Sequence, residues 1–599
     1  MSNMTECPVS ESGLVFAPRE VCAHFRADHS ILLTSPLELA TPVGNIVEYL
    51  ELWAEQRPEQ IFLGEKNPEG GWRTITFAAA WRSVQAVGQA LLNRNLTSET
   101  PIAILSGASI DHALLTLGAM VVGVPVSPIS PNYSLIADAL PRLEGILQLL
   151  EPAMVFVQDA DAVPLARSLV QLEQVEWLSA TLGQSGTSFI GDMYETEVTA
   201  AVAQAQAQID VRQPAKILFT SGSTGAPKGV INTQEMLCAA ICGASQLAET
   251  AAPPVLLDWL PWHHTMGGNA VLHGALKNGG TLYIDDGRPT PADFQRTVAN
   301  IMEIKPTTLL SVPLALQMLA GELERNDVFR ETFFACVLRI TYAGASLPQD
   351  TWERLQVQAR KTLGRETVLG SGFGTTETGP AICITHWATP GGGEIGLPVP
   401  GMTLKLVPLE DTYELRVKGV SVTPGYYRSP EATAAAFDEE GFYMVGDLVR
   451  FADPANLHMG LKYAGRLSEN FKLASGTWVA TGELRLALLD ALKPMIADVV
   501  IAGHDQEDIR VMFWLSATDP AGRAEAIAEI ARRLATYNTL KKGGSQRIGA
   551  FLILLDPPSI GLGEITDKGY VNQRGVLKNR ADLAAGLYAQ PAAADVVLL

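Results

Sequence analysis

The chain has 599 residues, 47% of them hydrophobic and 18% charged, with 53 glycines and 36 prolines, a balance that excludes a disordered, collagen-like or coiled-coil protein. Lys and Arg total 44 against 64 Asp and Glu, and the net charge of −20 argues against nucleic acid or an anionic membrane as partner while leaving room for a local basic funnel. At about 100 to 200 residues per domain, the length predicts roughly three or four compact units.

The opening residues, "MSNMTECPVSESG", are polar and partly acidic and lack the basic start and apolar run of a secretion signal, so a cytoplasmic protein is expected. Cys7, Cys22, Cys238, Cys242, Cys336 and Cys383 form no C-x-x-C pair and no zinc spacing, which predicts reduced thiols. Cys238 and Cys242, four apart on a predicted helix, read as a buried apolar pair. From "PIAILSG" (101–107) through "ALPRLEGILQLL" (139–150) to "AMVFVQD" (153–159), strand-like and helix-like stretches alternate, an α/β pattern with mostly parallel strands. The apolar "ALLTLGAMVVGVPV" (113–126) is shorter than the ~20 residues of a membrane helix and predicts a buried helix running into a strand. "AAVAQAQAQ" (200–208) predicts a solvated helix or connector.

Next comes "LFTSGSTGAPKGV", Leu218 to Val230, with four hydroxyl side chains, three glycines and one lysine. Glycines let backbone N–H groups turn inward and hydroxyls add donors, so the loop is suited to wrap a phosphate. A Walker A loop would need G-x-x-x-x-G-K-[ST], whereas Gly225 to Gly229 run G-x-x-K-G. Further strands end in small or polar residues at "VLLDWLPW", "GGTLYIDD", "TTLLSVP", "VLRITYAG" and "TVLGSGFG", and such ends are expected to line one site in an open parallel sheet. In "LPWHHTMGGN", His263 and His264 lack a third spaced ligand, and as strand neighbours their side chains should point oppositely, which argues against a metal pair. "SGFGTTETGP" places Glu377 where a carboxylate could hold Mg²⁺ beside phosphate oxygens contacted by Thr375 or Thr376, although Thr-Thr-Glu also caps helices. The G-x-G-x-x-G at Gly391 to Gly396 follows "WATP" rather than a strand and reads as a turn.

Beyond about residue 395 the texture becomes β-rich. "YMVGDLVRF" sets Asp447 after a glycine at an expected strand end, where it can take two ribose hydroxyls or merely close a turn. Arg466, Lys472 and the Gly476 loop follow, then a smaller α/β unit from near Leu467 that contains "ADVVIAGH", "IRVMFWLS" and "IGAFLILL". Lys568 stands on a Gly-rich loop near the end.

In this order the stretches resemble the adenylate-forming superfamily of acyl-CoA synthetases, adenylation domains and luciferases. Thr220 to Gly229 match the signature T-S-G-S-T-G-x-P-K-G throughout, supported by "TYAGASLP", "GFGTTE", "GEIGLPVPG", Gly446-Asp447, Gly465-Arg466 and the late lysine. Stretches such as "LPWHHTMGGN", "GFYMVGDLVRF", "ENFKLASGTWVATGELR" and "EITDKGYVNQR" are most similar to feruloyl-CoA synthases, the likeness covering roughly residues 35–580. It implies an N-terminal extension (1–35), a large domain (36–466) of two α/β subdomains and a small β-rich one, and a small mobile C-terminal α+β lid (467–599). The implied activity is ATP-dependent conversion of a hydroxycinnamic acid (ferulate, coumarate or caffeate) to an acyl-adenylate, then acyl transfer to coenzyme A. ATP, Mg²⁺ and CoA are the implied cofactors, and a monomer or homodimer without nucleic acid or membrane partner is expected.

Residue by residue, the resemblance gives the phosphates to Thr220, Ser221, Gly222, Ser223, Thr224, Gly225 and Lys228, Mg²⁺ to Glu377, and the α-phosphate to Thr376. Gly344, Ala345 and Ser346 fall to the adenine surroundings and Asp447 and Arg466 to the ribose; Phe373, Gly374, Thr375, Lys472 and Gly476 complete the cofactor set. His264 borders the acyl pocket, and Lys568 bridges carboxylate and α-phosphate, with Lys578 as the nearby alternative. Departures are the "TDKGYVNQR" ending, Ser468 at the expected Leu467/Ser468 hinge, one extra residue between Lys472 and Gly476, and Val445 before Gly446. Two rivals stay open: an adenylation enzyme loading a carrier protein, and a non-catalytic nucleotide-binding homologue. With no carrier-like stretch after Arg580, free CoA is the expected acceptor.

Overall fold

The computed structural model describes residues 13–221, 227–516, 522–541, 543–559, 561–565 and 571–599. They fall into two compact units, one of Met1–Val407, Arg416–Val445 and Phe451–Lys462, the other of Pro408–Leu415, Gly446–Arg450 and Tyr463–Leu599.

The first unit holds a seven-stranded sheet whose order is Ser188–Phe189, Glu176–Ser179, Met154–Val157, Ile102–Ile104, Val126–Pro128, Pro214–Ser221 and Pro227–Thr233. All neighbours pair in parallel except the last two, which form an antiparallel hairpin. The helix Ile110–Val121 is capped by Ser109 Oγ and buried along its whole length, then leads to the strand Val126–Pro128 as the apolar run predicted. A helix apolar on every side must lie inside the core.

A second sheet contains the parallel run Val368–Phe373, Arg339–Tyr342, Thr308–Ser311, Val255–Asp258, Thr281–Ile284 and Ile61–Lys66, closed by the antiparallel strand Trp72–Thr76. Its helices pack through Leu316, Leu323, Phe329, Phe333 and Leu355. Parallel strands need crossover helices that cover the sheet, which is why these strands are short, apolar and spaced by helical stretches. Residues ahead of position 35 add strands too: Cys22–Phe25 pairs Ile31–Thr34, which pairs Met402–Leu409. Cys238 and Cys242 are buried free thiols on the helix Gln234–Ser245, as the spacing predicted.

The second unit has a four-stranded sheet in the order Ile496–Ala502, Ile509–Leu515, Ile548–Ile553 and Val596–Leu598. The middle pair is parallel and both outer pairs are antiparallel. Leu488 of the helix Thr481–Leu492 and Ile530 and Leu534 of Arg523–Thr539 pack on Val499, Phe513 and Phe551. Among the described residues no helix is long and apolar enough to cross a membrane.

Candidate functional site

The hairpin of Pro214–Ser221 and Pro227–Thr233 carries the phosphate-loop signature at its end, with Thr220 directly opposite Lys228. Gly222, Ser223, Thr224 and Gly225 lie outside the described residues, as does the side chain of Ser221. The return strand is laced to a distant segment: Val230 bridges Tyr426, Tyr427 N–H donates to Gly229 O at 2.7 Å, and Thr423 Oγ1 donates to Ile231 O at 2.7 Å.

That segment also fixes Glu377. Thr423 N–H donates to Glu377 O at 2.7 Å and the Tyr426 hydroxyl to Glu377 Oε1 at 3.1 Å, while the Tyr443 hydroxyl lies 3.5 Å from that of Tyr426. Burial, then the Glu377 carboxylate, push both phenols well above their ordinary range, so they stay protonated donors. Lys228 Nζ sits over the Tyr426 ring, 5.0 Å from its centroid. A cation and a buried carboxylate are thus joined through one tyrosine beside the return strand of the hairpin. Thr376 and Glu377 occupy a 3₁₀ turn, Thr376–Thr378, closed by Thr378 N–H to Thr375 O, so the capping pattern and the buried carboxylate coincide. Glu377 offers oxygen donors only, and Mg²⁺ favours one or two carboxylates together with substrate phosphates, so the residue fits that ion.

The expectation that His263 and His264 lie on a strand and point apart is corrected by the structure. They occupy a turn after Pro261, with His264 N–H donating to Pro261 O, and their rings lie 4.4 Å apart. The segment then enters a π-helical turn, Met266–Val271, which opens with Gly268 N–H on His264 O at 2.9 Å. Gly267 and Gly268 are required here by close approach: a Cβ at Gly267 would lie 2.7 Å from both Leu260 O and Pro261 O, and one at Gly268 would overlap Trp262 O. The histidines are not joined by a third metal donor, and no group of three His, Cys, Asp or Glu among the described residues could hold a metal ion.

The C-terminal ends of the parallel strands supply the other expected residues of this unit. Gly344, Ala345 and Ser346 follow Arg339–Tyr342, and Phe373 ends Val368–Phe373, leading into Gly374 and Thr375. Tyr342 Oη accepts from Gly393 N–H at 3.3 Å, and residues 391–393 form a turn ahead of the strand Glu394–Pro398.

In the second unit Asp447 is not at a strand end, because the strand Tyr443–Phe451 continues through it. Its carboxylate meets Arg466 Nε at 3.3 Å, and Arg466 ends Leu461–Arg466. Lys472 pairs Trp478 across a short hairpin, and Gly476 turns it with φ +78 and its N–H on Leu473 O, a left-handed conformation that favours glycine. Lys568 lies outside the described residues; on either side of it Ile565 bridges Val571. Lys578 is exposed on Gln573–Asn579. Sequence reasoning missed Thr423, Tyr426 and Tyr443. Their segments carried only strand-like signals, and their contacts depend on partners 17, 49 and 192 residues away.

A parallel sheet with glycine-rich strand ends, and an antiparallel hairpin carrying the signature whose return strand is tied to the segment that holds a buried carboxylate, define an α/β fold of the kind that gathers ligands at its strand ends. The AMP-binding enzyme family matches residues 50–427, and the chain belongs to that family. It is similar to a carboxylic acid reductase of Mycobacterium tuberculosis, 25% identical over 511 residues that cover 77% of this chain and 42% of that protein. It is also similar to 4-coumarate–CoA ligase-like 9 of Arabidopsis thaliana, 27% identical over 401 residues, 63% of this chain and 65% of that one. The adenylation domain of a carboxylate reductase from Mycobacterium chelonae superposes with a TM-score of 0.71 at 20% identity, covering 92% of each chain, and shows the shared adenylate-forming fold. The chain spans less than half the length of the carboxylic acid reductases it matches, 42%, 39% and 47% in three cases.

Proposed function

We propose that the chain is an ATP-dependent, AMP-forming acid–thiol ligase acting on a hydroxycinnamic acid, with coenzyme A as acceptor. The observation that carries this reading is the junction of Lys228, Tyr426 and Glu377 beside the signature hairpin. One positive charge and one buried carboxylate beside the signature hairpin support a triphosphate and its counter-ion as the ligands of this site.

A carboxylate is a poor acyl donor until its oxygen is esterified to AMP. In the first step a carboxylate oxygen attacks the α-phosphorus, the bond to the β-phosphate oxygen breaks, and pyrophosphate leaves. Both reactants are anionic, so fixed cations and donors carry the rate. Lys228 and the hydroxyls of the loop hold the outer phosphates, Thr376 donates to the α-phosphate, and Lys568 bridges it to the carboxylate. Mg²⁺ held by Glu377 would supply further positive charge to the phosphates. In the second step the CoA thiolate attacks the acyl carbon and AMP departs, the Gly476 loop being assigned to the pantetheine arm. Asp447 and Arg466 hold the ribose, and His264 borders the acid. The hydroxycinnamate choice rests on the sequence likeness to feruloyl-CoA synthases and on the similarity to a protein named as coumarate–CoA ligase-like.

A second reading, adenylation for transfer to a carrier protein, is favoured by the similarity to carboxylic acid reductases, of which this chain spans less than half. One experiment separates the two. AMP and acyl-CoA are measured from ATP and Mg²⁺ with ferulate, coumarate, caffeate, benzoate and a medium-chain fatty acid, with and without CoA. The ligase reading expects fast CoA-dependent turnover with ferulate or its relatives. Acid-dependent pyrophosphate exchange without acyl-CoA would favour a carrier acceptor, and silence with every acid would count against catalysis.

A further inference from the structure

Lys216 is fully buried in the strand Pro214–Ser221, and a buried ammonium costs far more than an apolar side chain of the same size. Its three protons meet three neutral acceptors: Gly268 O at 2.7 Å, Asn269 Oδ1 at 3.1 Å and His273 Nε2 at 3.2 Å. Burial drives the imidazole of His273 well below its ordinary range, so the ring is neutral and its Nε2 can accept. Burial also lowers Lys216 itself, to about 7.

From that lysine a chain of amides runs in one direction. Asn269 accepts through Oδ1 and donates through Nδ2 to Asn232 Oδ1 at 2.8 Å and to Thr265 Oγ1 at 3.0 Å. Asn232 in turn donates through Nδ2 to Thr376 O at 3.4 Å. Every link places a carbonyl toward the ammonium and an amino group away from it, so each bond polarises the next. Lys216 and Asn232 are cross-strand partners in the phosphate hairpin, Asn269 lies four residues past Thr265 in the turn that opens on His264, and Thr376 adjoins Glu377. The π-helical turn Met266–Val271 carries Gly268 and Asn269, the two groups that Lys216 grips in that segment, and such turns are frequent at functional sites.

We propose that Lys216 is a positioning residue which, through Asn269 and Asn232, holds the Thr376–Glu377 turn in register with the phosphate hairpin and the His264 segment. The network would hold the phosphate-side and acid-side groups in a single geometry. The kinetic part of this inference rests on the acid-activation reading; the positional part does not.

The test uses Asn232→Ala and Lys216→Met in the full chain, with two readouts. The first is amide hydrogen exchange in peptides covering residues 373–379. The second is kcat and the KM for ATP of acid-dependent pyrophosphate exchange, normalised to folded protein well below each variant's Tm. Both variants should speed amide exchange in 373–379 about tenfold or more and lower kcat about 10- to 100-fold, as loss of a supporting outer contact does, with the KM for ATP within about threefold. A cluster that serves packing alone would lower Tm and leave kcat per folded molecule and local exchange unchanged, which overturns the proposal. If Lys216→Met does not fold, Asn232→Ala decides, since it leaves the Lys216 contacts with Gly268, Asn269 and His273 intact. If the wild-type chain exchanges pyrophosphate with no acid, the ligase reading falls and the amide exchange alone decides the positional claim.

Discussion

Asp258 ends the strand Val255–Asp258 just ahead of the Leu260–Pro261 turn, and its carboxyl is buried. Burial raises its pKa to about 8; the Leu260 N–H opposes this, Asp285 adds to it, and Arg288 opposes it. The folded chain therefore keeps a proton that the unfolded chain loses near pH ~4, and stability falls as pH rises from about 4 toward 8. Lys216 acts with the opposite dependence above about 7, where the folded chain releases a proton that the unfolded chain retains. Between pH 5 and pH 7 the buried histidines His112, His273 and His386, whose pKa values burial lowers, also act in the opposite sense, so the aspartate is read from the difference between Asp258→Asn and wild type. Asp258→Asn should remove this slope, so that its Tm gains a few degrees on wild type between pH 5 and pH 7, measured by thermal unfolding. Parallel curves would mean that the carboxyl ionises as freely as in water. At the same scale, Lys568→Ala should cut adenylate formation at least ~100-fold while acyl-CoA formation from supplied acyl-adenylate stays within a few fold. Equal loss of both half-reactions, measured by quenched flow, would discard that assignment and turn attention to Lys578.

Two elements of the first unit are joined by the Lys216 contacts: the signature hairpin and the Trp262–Val271 segment. The second is packed so closely on Leu260, Pro261 and Trp262 that neither Gly267 nor Gly268 has room for a Cβ. Gly268→Ala should displace the turn from Trp262, costing about 1–3 kcal/mol of stability, and should raise the KM for the acid more than the KM for ATP. An unchanged acid KM would show that this segment does not border the acid. The same two elements mark how far sequence could be read. The spacing of hydroxyls and glycines announced the family, because a signature motif is local, but not that its flanks pair as an antiparallel hairpin. "VTPGYY" announced only a β-rich piece, since Tyr426 reaches Glu377 by pairing with Val230, nearly two hundred residues earlier. The paired histidines misled for a related reason: a strand was inferred from the apolar run before them, whereas the chain turns at Pro261.

Across the whole molecule, alternating apolar strands and helices were enough to predict a mostly parallel α/β architecture, because a sheet buried on both faces needs uniformly apolar strands and crossover helices. The buried helix Ile110–Val121 and the late α/β unit were legible for the same reason. Strand order was not. Val255–Asp258 lies between Thr308–Ser311 and Thr281–Ile284, an arrangement set by long-range packing rather than by local pattern. The pairing of the two N-terminal strands with Met402–Leu409 was equally invisible. By itself, then, the sequence determined the family, through a short-range signature, Thr220 to Gly229, that is read without knowing the fold. Tertiary structure alone decided which distant groups meet beside the signature hairpin. Tyr426 on Glu377, and Lys216 through two asparagines to Thr376, are contacts between chain segments far apart, and a buried polar group is assigned only when its partner is seen.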